Sequence, residues 1–87
     1  MNRYNPFMAM IVLAKQYGFV MQRPGSPVGG FQLVNPANRD RLTIYNDCEF
    51  DFTNGATGGF GTCERTPKIN AILALNKVLL ERQRGER

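Results

Sequence analysis

The chain has no histidine and no tryptophan. Without imidazole it lacks the commonest general acid or base near neutral pH and the commonest zinc ligand. Ser26 is the only serine, so neither a serine–histidine nor a cysteine–histidine dyad can form within one chain. These absences point away from an enzyme. Cysteine is scarce as well. Cys48 and Cys63 are too few for a disulfide-stapled secreted scaffold or a four-cysteine zinc site. They read as free thiols of a reducing cytoplasm, with a single bridge as the alternative. Long apolar runs are missing too. The uncharged stretch from Pro6 to Ala14 follows Arg3, but it is too short to cross a bilayer and shorter than a secretory leader. It is read as part of the fold, with no membrane association, and no cofactor is implied.

What is present suits one small folded unit. The 87 residues, 43 % hydrophobic and 21 % charged, make a single domain over 1–87, neither disordered nor long enough for two. Such a chain buries only about 60–65 % of its unfolded surface, so its core is small. Eleven Lys and Arg against seven Asp and Glu give a net charge of +4, and eight of the eleven cations are Arg. Arg presents a planar fork of donors suited to phosphate and carboxylate, which favours an anionic partner, with ordinary solubility charge as the alternative reading.

A helix is expected from about Pro6 to Tyr17, capped by Asn5, opened by Pro6 and closed by Gly18 in a left-handed conformation. Phe7, Met10, Ile11, Ala14 and Tyr17 share one face, and Met8, Val12 and Leu13 extend the apolar surface most of the way round. Such a helix is buried on more than one side or meets a partner, and Met8, Met10 and Val12 are the candidate protein-contact residues. Phe19 to Arg23 reads as a strand, Pro24 to Gly30 as a break, Phe31 to Asn35 as a second strand and Pro36 to Asp40 as a polar turn.

From Arg41 to Thr53 the side chains Leu42, Ile44, Cys48, Phe50 and Phe52 all carry even numbers, one face of a strand pair. A two-residue turn would set Ile44 against Glu49. A three-residue loop, Tyr45-Asn46-Asp47, keeps the parity and sets Ile44 opposite Cys48 and Leu42 opposite Phe50. Asn54 to Thr62 reads as a glycine-rich loop. Thr66-Pro67 then announces a second helix reaching about Arg82, striped by Ile69, Ile72, Leu73, Val78, Leu79 and Leu80. The expected fold is α+β: a small antiparallel sheet of three or four strands, covered on one face by N- and C-terminal helices, in the order α-β-β-β-(β)-α.

Three constellations bear on chemistry. Asp47, Glu49 and Asp51 alternate along one strand face and suit a hard cation, but the chosen register pairs Arg41 with Asp51 as an ordinary cross-strand ion pair, and no metal is assigned. Gly58, Gly59 and Gly61 precede a helix start flanked by Arg65 and Lys68, where backbone amides attract phosphate, although no Walker A sequence closes the loop. Cys63 lies between that loop and the helix, where a packed thiol is the default. Arg39, Arg41, Arg65, Lys68, Arg82 and Arg84 form a nucleic-acid contact set if the fold gathers them.

A helix ending in Tyr17-Gly18-Phe19, a strand with Arg23, a Gly25-Ser26 loop, further strands and a closing helix together resemble the HicA-type toxin variant of the double-stranded-RNA-binding fold. The resemblance covers most of the chain in element order and few residues in motif, and it implies a nucleic-acid partner. Pro27 stands where that family has its catalytic histidine after the Gly-Ser loop, so ribonuclease activity is not implied. The same reading suits a small phage-encoded protein.

Two functions follow as expectations. The first is a small, basic, non-enzymatic cytoplasmic domain that contacts the phosphate backbone of RNA or DNA through Arg and Lys. The alternative is a protein-interaction module, an adaptor or inhibitor docking through the apolar first helix. A homodimer through that helix is a third outcome.

Overall fold

Helix α1 runs Pro6–Gln16 in the computed structural model, which describes residues 5–22, 30–57, 62–64 and 68–85, for 62–64, 68 and 69 by their backbone. Asn5 Oδ1 accepts the N–H groups of Phe7 (3.1 Å) and Met8 (3.4 Å), so two otherwise orphaned donors are satisfied where the helix begins. The helix ends in a Schellman motif. Gly18 takes φ 95°, its N–H bonds Lys15 O at 3.0 Å, and the Phe19 N–H bonds Ala14 O at 3.1 Å. That reversal turns Phe19 into the core.

Strands β1 (Val20–Met21), β2 (Gly30–Val34), β3 (Arg41–Tyr45), β4 (Phe50–Thr53) and β5 (Thr62–Glu64) precede helix α2 (Lys68–Gln83). They form one antiparallel sheet in sequence order. The α+β class and the helix–strands–helix order are as read from the sequence. The sheet is one edge strand wider, because β5 lies at the end of the glycine-rich stretch and three residues are too few to display a period of two.

Leu33, Leu42, Ile44, Phe50 and Phe52 supply the inner face of the sheet. Met10, Ile11 and Ala14 from α1, and Ala71, Leu75, Val78 and Leu79 from α2, complete the same core. Two helix readings change. Met10, expected at a protein interface, is fully buried, and Leu73, expected in the stripe, is 68 % exposed while Ala71 and Leu75 take its place. Both follow from helix phase: residues 71, 75, 78 and 79 fall on one face, and position 73 falls opposite.

The β3–β4 hairpin keeps its parity and shifts by one residue. Its loop is Asn46-Asp47-Cys48, with Ile44 opposite Phe50 and Leu42 opposite Phe52. Asp47 Oδ1 accepts the Glu49 N–H at 3.1 Å, Cys48 N–H bonds Tyr45 O at 2.9 Å, and Cys48 itself adopts φ 71° with its thiol buried. The turn therefore centres on Asn46-Asp47, and the third loop residue takes the left-handed conformation usual in such hairpins. As a consequence Arg41 stands opposite Thr53, not Asp51. Asp51 instead accepts the Tyr45 hydroxyl at 2.8 Å.

Candidate anion-binding end

The turn between β2 and β3 is built by asparagine chemistry. Asn35 Oδ1 accepts the Ala37 N–H (3.0 Å), its Nδ2 donates to Tyr17 O (3.2 Å), and Asn38 Oδ1 accepts the Asp40 N–H (3.0 Å). Asn35 and Asp40 are bridged by a backbone bond of 2.8 Å, and Arg39 turns at φ 66°. The left-handed residue throws the Arg39 side chain outward and sends Asp40 inward, 1 % exposed.

A buried carboxylate must be paired or hydrogen-bonded, and Asp40 is both. Its Oδ1 accepts the Gly55 N–H at 2.8 Å, and Arg82 Nε donates to Oδ2 at 2.9 Å and to Oδ1 at 3.2 Å. The pair joins the segment Arg39-Asp40-Arg41 to Arg82-Gln83-Arg84, placing four of the six candidate cations at one end of the molecule. Arg39 and Arg84 are exposed there. Arg41 is exposed too, but it points to the open sheet face with Thr43 and Tyr45, away from the helices. Arg82 is held by Asp40, with 18 % of its side chain exposed. Lys15, in the last turn of α1, belongs to the same end. Arg65, the Lys68 side chain, Gly58, Gly59, Gly61, the Cys63 side chain and the Gly25-Ser26 segment lie outside the described residues.

Among the described residues charge is segregated along the strands. Lys15, Arg39, Arg41, Arg82 and Arg84 outnumber Asp40 and Glu81 at the end of the β2–β3 turn, whereas Asp47, Glu49 and Asp51 lie toward the β3–β4 turn. The length of β3, four steps of about 3.3 Å, separates the two ends by roughly 13 Å. That exceeds the Debye length of about 10 Å at 0.1 M salt, so the described charges of the two ends are largely screened from each other. Among the described residues no three His, Cys, Asp or Glu side chains converge as metal ligands, and no helix is long and apolar enough to cross a membrane.

A small cleft opens beside the Asp40–Arg82 pair. It encloses about 90 Å³, between buried Phe19 and Leu79 and the amide side chains of Asn38 and Gln83. That is well below the roughly 300–1,000 Å³ of small-molecule sites, so at most one group of a larger ligand enters.

A separate apolar area lies on the other flank. Met8 and Val12, one turn apart on α1, and Met21 and Phe31 of the β1–β2 edge are each about half exposed. Phe31 stacks on Phe7 with ring centroids 5.3 Å apart, which ties this edge to the start of α1. Sequence reasoning missed Asp40 as the residue that gathers the cations; only its position between two arginines hinted at it. No protein-family model, curated protein or solved structure matches the chain.

Proposed function

We propose that this chain is a non-enzymatic nucleic-acid-binding domain whose basic end contacts the phosphate backbone. The observation that carries the reading is the Asp40–Arg82 ion pair, which joins two short arginine segments 42 residues apart at the end opposite Asp47 and Glu49. Exposed Arg39, Arg84 and Lys15, with Arg41 on the open sheet face of the same end, supply cations that enter no ion pair among the described residues. The α–sheet–α order and its resemblance to the double-stranded-RNA-binding fold favour a duplex as the first ligand to test. Anisotropy of labelled RNA and DNA duplexes should show binding that weakens with salt, with log K falling against log salt at a slope of about −2 to −3 for three phosphate contacts. Arg39→Gln with Arg84→Gln should flatten that slope by about two contacts. Absence of binding at low salt rejects the reading.

A second reading has its own observation. Met8 and Val12 on α1 and Met21 and Phe31 of the β1–β2 edge are large apolar side chains about half exposed, which suits a protein-docking module or a homodimer. Light scattering of the wild type and of Val12→Asp separates self-association from a monomeric chain.

A further inference from the structure

A guanidinium carries five N–H donors, and Arg82 uses one of them. Its Nε is fixed by both oxygens of Asp40, yet among the described residues no acceptor engages either Nη group, although four-fifths of the side chain is buried. With 18 % of its side chain exposed, Arg82 offers those donors to oxygen partners brought by water or a ligand. Arg82 lines the cleft of about 90 Å³, where Asn38 has its Oδ1 occupied by the Asp40 N–H and so offers Nδ2 as a further donor. Asp40 does not leave a net negative site, since Arg82 neutralises it and Gly55 N–H binds it. Both helix C-termini approach this end, and their partial negative charge opposes an anion. Their last carbonyls are capped, however: Ala14 O by Phe19 N–H, Lys15 O by Gly18 N–H, Tyr17 O by Asn35 Nδ2, and Leu80 O and Arg82 O by the N–H groups of Arg84 and Gly85. Exposed Arg39 and Arg84 are chain neighbours of the lining residues Asn38, Asp40 and Gln83 and add positive charge nearby.

We propose that Arg82, anchored through Nε by Asp40, is an oxyanion receptor whose two Nη groups take the oxygens of one phosphate group in this cleft. The fixed planar fork matches a phosphate edge in bidentate fashion, a geometry that a freely rotating surface Arg reaches only at an entropic cost. The inference rests on the backbone-binding reading for its natural ligand, but the same chemistry accepts free phosphate. The cleft is too small for more than the phosphate group itself.

The test follows the Arg82 Nε–H signal of the isotope-labelled full chain by NMR. One arm titrates inorganic phosphate against chloride at matched ionic strength, and the other titrates a short duplex. Saturable movement of Arg82 with phosphate but not chloride is expected, and the duplex should move the same signal at lower concentration. Arg82→Lys keeps the charge and removes the fork. With its fold checked by circular dichroism, it should bind phosphate about tenfold more weakly. If the duplex shifts Arg39 and Arg84 while Arg82 stays still in both arms, the receptor is overturned and backbone binding stands. If phosphate moves Arg82 and no duplex binds, the receptor stands and the nucleic-acid reading falls. An unmoved Arg82 with no duplex binding overturns both.

Discussion

Asp40 and Arg82, 42 residues apart in the chain, are joined by Nε–oxygen distances of 2.9 and 3.2 Å with the carboxylate fully inside. The carboxylate simultaneously holds the Gly55 N–H, so one side chain ties together the β2–β3 turn, the segment after β4 and the end of α2. Removing one partner of a buried pair leaves an uncompensated charge. Arg82→Ala, which leaves the fully buried Asp40 carboxylate unpaired, should cost about 3–5 kcal/mol, and Asp40→Ala less, about 2–3 kcal/mol, because the Arg82 it leaves behind is partly solvated. Denaturant midpoints at constant slope measure both. Asp40→Ala matching the stability of the wild type would remove the pair from the account of the fold.

Gly55 is fixed by close approach. A Cβ there would stand 2.3 Å from Asn38 O and 2.3 Å from the Arg39 carbonyl carbon, both backbone atoms that cannot rotate away. Gly55→Ala should therefore destabilise by about 3 kcal/mol or more, through overpacking. Gly85 is the control, because its φ is +79° and nothing lies within 4 Å of a built Cβ. Gly85→Ala should cost only about 1 kcal/mol, from the left-handed backbone alone. Thermal unfolding of the two variants side by side separates contact from conformation.

Met10 and Val12 were grouped by sequence and are parted by helix phase. Met10→Ala should cost about 2–5 kcal/mol, as cavity-forming substitutions in a core do. Val12→Asp should stay within about 0.5 kcal/mol, since Val12 is about half exposed. Urea titrations check the stabilities. Any loss of oligomer mass in Val12→Asp assigns that flank to self-association.

Tyr45 and Asp51 meet on the open sheet face at 2.8 Å. Tyr45→Phe deletes the hydroxyl and keeps the ring, so about 0.5–1.5 kcal/mol should be lost. Asp51→Asn should lose less, because an amide oxygen still accepts. The same pair reports register: in the hairpin first read from the sequence, Asp51 would have met Arg41, and then Arg41→Gln would destabilise more than Tyr45→Phe. Comparing those two variants tests the observed pairing.

Much of the architecture was legible because it depends on local rules. Asn5-Pro6 and Gly18 mark the ends of α1, and the even-numbered run from Leu42 to Phe52 faces the core as its period requires. The register error was a single position in the loop, since Asp47 and Cys48 share the turn by geometry that residue type alone does not rank. β5 escaped notice because its partner β4, rather than its own composition, makes it a strand.

The sequence by itself determined the two helices, the inward face of the central hairpin and the surplus of arginine, since these follow from periodicity, counting and, for α1, capping. Which arginines stand together was decided only by the tertiary fold. Asp40 chooses Arg82 across 42 residues, because burying a carboxylate demands a partner and chain reversal alone brings that partner within reach.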